Sequence, residues 1–170
     1  MDSVTVIIGI FSVALLVAPI IFFQRKRKAK KRRLLQDFTA KANEQELAIG
    51  PHEFWAPYYA IGLDPVKKKL LYTRHVEGVE QQVLVDLLEV SSARVINLSK
   101  DSNDGRIIDR IDLAFAYRNT KRPEKMVEFY NKEESLNLND ELRLAEKWMK
   151  LVNENIATSA APASTFEMAK

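Results

Sequence analysis

The side chains able to do chemistry are few, and their spacing decides what they could do. His52 and His75 are the two histidines of the chain, and imidazole is the group whose ordinary pKa lies near neutrality. Neither has carboxylates or a second histidine at metal-ligand spacing, so both read as exposed structural residues. Carboxylates are densest at Asp101, Asp104, Asp109 and Asp112. Acid–base or metal chemistry would need two of them in one pocket. Asp101-Ser102-Asn103-Asp104-Gly105 has the look of a calcium loop, but the bidentate Glu that closes such a loop is replaced by the shorter Asp112. A tight turn is the simpler reading, with Asp109, Arg110, Asp112 and Arg118 pairing charges across strands. Glycines stand singly, so no loop is built to cradle a phosphate, and neither Gly-x-Ser-x-Gly nor His-Glu-x-x-His occurs. The absence of cysteine excludes disulfides, thiolate metal sites and a Cys nucleophile. The sequence calls for no cofactor, no metal and no enzymatic activity.

Cationic chemistry is more concentrated. Arg25, Lys26, Arg27, Lys28, Lys30, Lys31, Arg32 and Arg33 follow Val4–Phe23, a stretch without a single charge. A run of about 20 apolar residues matches a hydrocarbon core about 30 Å thick. A secretory signal carries its positive charge before the apolar stretch and ends on small residues. Here Asp2 precedes the stretch, and the bulky Pro19-Ile20-Ile21-Phe22-Phe23 closes it. Basic flanks stay in the cytoplasm. The expectation is a single-pass transmembrane helix over residues 1–24, with a short N-terminus outside and the rest at the inner face of the cell membrane.

The formal charge of +3 hides an asymmetry. Eight of the 26 Lys and Arg residues lie in that basic run, so 18 remain against 22 acids once Asp2 is set aside, and residues 34–170 carry −4. Nucleic acid is therefore not the expected partner, because its binding rests on neutralised phosphates. The basic run suits anionic lipid headgroups, at about 1 kcal/mol per basic residue near the surface.

The elements that must position these groups follow from periodicity. Residues 34–49 lack Gly and Pro and favour a helix, with Leu34, Leu35, Phe38 and Ala42 on one stripe and Gly50-Pro51 as its stop. Residues 25–51 thus form a basic, helical linker. Phe54 to Leu63 reads as an aromatic strand turning at Asp64-Pro65 into a second strand, Lys69 to His75. Gln82 to Leu87 resumes, and Leu88 to Leu98 continues as one bent strand or two. The Asp101–Gly105 turn joins it to Arg106–Arg118, and Lys125–Tyr130 is another strand. Asn139 can cap a final helix whose stripe is Leu142, Ala145, Met149, Val152 and Ile156, with Leu144, Trp148 and Leu151 beside it. Residues 157–170 are small and polar, the composition of a disordered tail.

The aromatic opening strand, the Asp64-Pro65 hairpin, the strand containing Asp112-Leu113 and the closing helix with Trp148 resemble the pleckstrin-homology-like (PH-like) superfold over residues 52–156. The resemblance implies an α+β architecture: a partly open antiparallel β-barrel capped by a C-terminal amphipathic helix. An open antiparallel sheet with the helix lying across it would use the same elements. In lipid-binding PH domains, basic residues around the first hairpin grip headgroup phosphates, which points to Lys67, Lys68 and Lys69. Here Lys69 and Arg74 fall on opposite strand faces. The function expected is a membrane-anchored adaptor that recruits a protein partner. Phe54, Trp55, Tyr58 and Tyr59 are the candidate anchors, because aromatic residues dominate interface energetics. A lipid sensor using the basic run and first hairpin, and an accessory subunit of a larger membrane complex, are the competing readings.

Overall fold

Strands with alternating apolar residues have a core face and a solvent face, and they pair wherever a tight turn lets them. The computed structural model describes residues 32–55, 59–76, 79–102, 105–135 and 138–160. The chain forms two compact units, Met1–Glu44 and Gln45–Lys170. In the first unit, the described residues are a helix, α1, over 32–44. It is shorter than the expected 34–49 helix at its C-terminal end. The second unit contains β1 (His52–Trp55), β2 (Tyr59–Asp64), β3 (Lys69–Val76), β4 (Val79–Asp86), β5 (Val90–Ser102), β6 (Gly105–Tyr117), β7 (Lys125–Asn131) and α2 (Glu141–Ala160).

Two expectations are corrected. The strands do not close into a barrel: they form one antiparallel sheet in the order β1-β2-β3-β4 and a second in the order β5-β6-β7. The turn after β4 explains the break. Leu88 N–H bonds to the Asp86 carboxylate at 2.9 Å, and Leu87 N–H turns back to Lys68 O at 2.8 Å. The chain then leaves the first sheet, and β5 pairs with its sequence neighbour β6 over a long hairpin. The second correction concerns the membrane. Among the described residues no helix is long and apolar enough to cross one. The expected span at residues 4–23, and the basic run as far as Lys31, lie outside the described residues, and the single-pass transmembrane architecture has no counterpart among those described.

The aromatic stretch from Phe54 to Leu63 is two strands rather than one. Trp55 stands opposite Tyr59 in an antiparallel β1–β2 pair. Pro57, which has no N–H for a ladder, falls between them. The core lies between the sheets and α2. It contains Ile61, Leu63, Leu70, Tyr72, Val85, Leu113, Phe115 and Phe129, with Ala145, Trp148, Val152 and Ile156 at helical spacing on α2. Asp140 O accepts the first bond of α2, from Leu144 N at 2.9 Å. Asp140 thus takes the capping position expected of Asn139, one residue later.

Residues 45–51, expected to be linker, are bonded into the second unit. Gly50 N donates to Leu63 O at 3.0 Å, and Leu63 N to Pro51 O at 2.9 Å. Their anchor is Asp64, which is fully buried. One of its oxygens accepts from Val66 N and Lys67 N, both at 2.9 Å, and the other from Ala48 N at 2.8 Å. Burial alone would push this carboxyl up, but the N–H groups of Lys67, Ala48 and Val66 and the Lys67 charge outweigh it and hold it below the ordinary carboxylate value. Asp64→Ala would strand three N–H groups and should cost roughly 3 kcal/mol in urea unfolding. The folded carboxyl is the stronger acid, so its contribution is fully present above the unfolded pKa of about 3.9 and is lost as pH falls through the folded value. The variant should therefore lose less stability than the wild type on acidification. Identical acid profiles would show that Asp64 is not the anchor.

Candidate functional site

A strand that should be wholly apolar carries one acid. Val127, Glu128, Phe129 and Tyr130 of β7 are all buried. Pairing with β6 matches Asp112 to Glu128 and Ile111 to Tyr130, so Phe129 is an extra residue, a β-bulge. At this bulge the first sheet docks through side chains. Tyr72 hydroxyl donates to Glu128 O at 2.7 Å, and the Trp55 indole N–H donates to Phe129 O at 2.8 Å. Trp55 also stacks on Phe129, centroids 4.6 Å apart, and on Tyr59 at 5.4 Å.

The Glu128 carboxylate sits among groups from four elements. Tyr59 hydroxyl lies 2.8 Å from Glu128 Oε1 and 2.9 Å from Glu134 Oε2, and its one proton can go to only one of them at a time. Arg74 bridges the two acids, 3.3 Å from Glu128 and in contact with Glu134. Asn131 Nδ2 donates to Glu128 Oε2 at 3.3 Å. Arg110 Nε donates to Asp112 Oδ2 at 2.7 Å and lies 3.7 Å from Glu128. Burial, then the hydrogen bond to Glu128 and its charge, push the Tyr59 hydroxyl well up. Burial followed by the Glu128 charge does the same to Tyr72. Asp112 is raised because its desolvation outweighs Arg110, and its Oδ1 is buried without a partner among the described residues. Each acid here faces an arginine, and the phenol between two acids stays protonated. These groups join the two sheets: Tyr59 and Arg74 of the first meet Glu128 of the second.

The residues singled out from sequence are dispersed. Asp109 and Asp112 do not converge: Asp109 is on the surface, 2.9 Å from Lys100 Nζ and 3.8 Å from Lys132 Nζ. Asp101 is exposed and Asp104 lies outside the described residues. Among the described residues no group of acids, histidines or cysteines could hold a metal. His52 in β1 and His75 in β3 have β2 between them. Of the hairpin lysines, Lys67 Nζ donates to Glu46 O and Lys68 Nζ to Asn155 Oδ1 on α2 at 3.0 Å. Lys69 stands across from Asp64 and Asp86 in the ladders. Arg32 and Arg33 are exposed on α1, while Arg25, Lys26, Arg27, Lys28, Lys30 and Lys31 lie outside the described residues. Among the aromatic anchors, Tyr59 is buried, Trp55 and Phe54 are half-buried, and Tyr58 lies outside the described residues. Sequence reasoning missed Glu128, Glu134 and Tyr72. The available signal was Glu128 itself, an acid between Val127 and Phe129 in a short strand.

Among the described residues, a cleft of about 800 Å³ opens at one end of the three-stranded sheet, lined among others by Leu98, Lys100, Asp109, Arg110, Asn131 and Lys132. Arg110 and Asn131 thus belong both to the buried junction and to the cleft wall. No family model matches this chain, and no curated protein or solved structure is significantly similar to it.

Glu128→Ala should cost roughly 2–3 kcal/mol in chemical unfolding, because among the described residues it leaves Glu134 as the one remaining acidic partner of Arg74 and the Tyr59 hydroxyl and removes the carboxylate that Asn131 and Arg110 also face. Asp112→Asn should change stability by less than about 1 kcal/mol at neutral pH, since it removes a charge that folding disfavours. The reverse ranking of the two variants would show that Asp112 rather than Glu128 holds the sheets together.

Proposed function

We propose that this chain is a non-catalytic binding module that docks a protein partner. One observation carries the reading: the buried Glu128 and the Tyr59 and Arg74 that meet it are engaged in joining the two sheets, whereas the cleft beyond them is open and has half-exposed Leu98 in its wall. A cleft of this size lies within the range of ligand-binding clefts, roughly 300–1,000 Å³. The strand order and closing helix support keeping the PH-like resemblance as part of this proposal, without the barrel. A setting at the inner face of a membrane belongs to it too, and rests only on the charge pattern of residues 2–33. The lipid-sensor alternative is weakened by the engagement of Lys67 and Lys68 within the protein.

Proximity labelling from a C-terminal fusion, followed by binary binding assays of each purified neighbour, tests the reading. The expected outcome is at least one neighbour that binds directly, one to one, at micromolar or tighter Kd. If every neighbour fails to bind the purified chain, the module reading is wrong.

A further inference from the structure

Asp112 is the acid that the junction leaves half served. It is 3% exposed, and Arg110 Nε, at 2.7 Å, meets one of its oxygens, Oδ2. The other, Oδ1, is buried without a partner among the described residues. Opposite Asp112 in the β6–β7 ladder stands Glu128, itself buried, so two carboxylates share one enclosed place.

The surroundings do not balance them. Glu128 faces Tyr59 of β2, Arg74 of β3 and Asn131 at the end of β7. Glu134, which follows β7, meets the same Arg74 and Tyr59. Tyr72 of β3 lies within electrostatic reach of Asp112, and burial keeps its hydroxyl protonated. On β5 the residue opposite Asp112 is Ile96, which carries no charge. On the other side of β6, Ile111 and Leu113 join the apolar core with α2. Among the described residues, Asp112, Glu128 and Glu134 thus meet Arg74 and Arg110, three acids against two cations.

One proton would close that gap, and Asp112 is where it belongs. Glu128 accepts hydrogen bonds on both oxygens, and Glu134 is 24% exposed, so water reaches it. Asp112 Oδ1 has neither form of support. Burial, ahead of the opposing hydrogen bond and charge of Arg110, disfavours its ionised form. We propose that Asp112 is a proton-binding site built into the sheet junction: on acidification one proton from solvent bonds to its carboxylate, the cluster becomes neutral, and Arg110 turns to Glu128, 3.7 Å away, so that the sheets hold more firmly. No other covalent bond changes. The inference stands whatever the cleft binds.

Carboxyl carbon-13 NMR of the full-length chain tests it, with Asp112 assigned by through-bond correlation and by loss of its signal in Asp112→Asn. Asp112 should titrate above the ordinary aspartate value of about 3.9, and Asp109, bonded to Lys100 on the surface, below it. Arg110→Gln, at a side chain 43% exposed, should move the Asp112 midpoint further up. Urea unfolding is the second readout. The folded acid is the weaker one, so the wild type should gain stability relative to Asp112→Asn as pH falls through the folded midpoint. The gain should level off below the unfolded value of about 3.9. An Asp112 midpoint at or below that ordinary value, or a proton found instead on Glu128 or Glu134, overturns the proposal. So do parallel stability profiles of the wild type and Asp112→Asn, or an Asp112 midpoint that falls in Arg110→Gln. Should Asp112→Asn fail to fold, the wild-type midpoint decides alone.

Discussion

Burying a carboxylate is unfavourable unless charge and hydrogen bonds meet it on several sides. Glu128 is such a group, and the way it is met ties the fold together. Tyr59 comes from β2, Arg74 from β3, Arg110 from β6 and Asn131 from the end of β7. Sheets in contact only through apolar residues could slide with little penalty. A buried acid with partners on both sheets has one low-energy position, so it sets the register between layers as well as their contact.

The bulge at Phe129 is the local device that makes this possible. An extra residue in β7 presents two successive carbonyls to the first sheet, where Tyr72 and Trp55 bond them. An edge strand whose main-chain groups are taken by side chains is a poor template for another chain. The opposite edge of the same sheet is treated similarly. Asn153 on α2 accepts from Ala93 N at 2.8 Å and donates to Ala93 O at 2.9 Å, the two bonds a neighbouring strand would make. The C-terminal helix therefore covers the core with Trp148 and also closes part of the β5 edge.

The cleft near Leu98 shares Arg110 and Asn131 of its wall with the junction. A ligand there would act on residues that already hold the sheets together. Rigidity behind a binding surface lowers the ordering cost of association.

Much of the local structure was legible. Alternation in 107–116 and the apolar stripe of 142–156 correspond to β6 and α2, because each depends on residues a few positions apart, whereas Asp101, Ser102 and Gly105 of the expected turn belong to the β5–β6 ladder. The sequence by itself therefore determined that β6 and α2 form and roughly where, and the composition determined the charge asymmetry between 25–33 and the remainder. The tertiary structure alone decided that the strands divide into two sheets, that Asp64 gathers Ala48, Val66 and Lys67, and that Glu128 is buried rather than exposed. An ionised side chain becomes structural only when partners tens of residues away are brought to it, and Tyr59 stands 69 positions from Glu128. No periodicity along the chain encodes that meeting. It exists only once the layers pack.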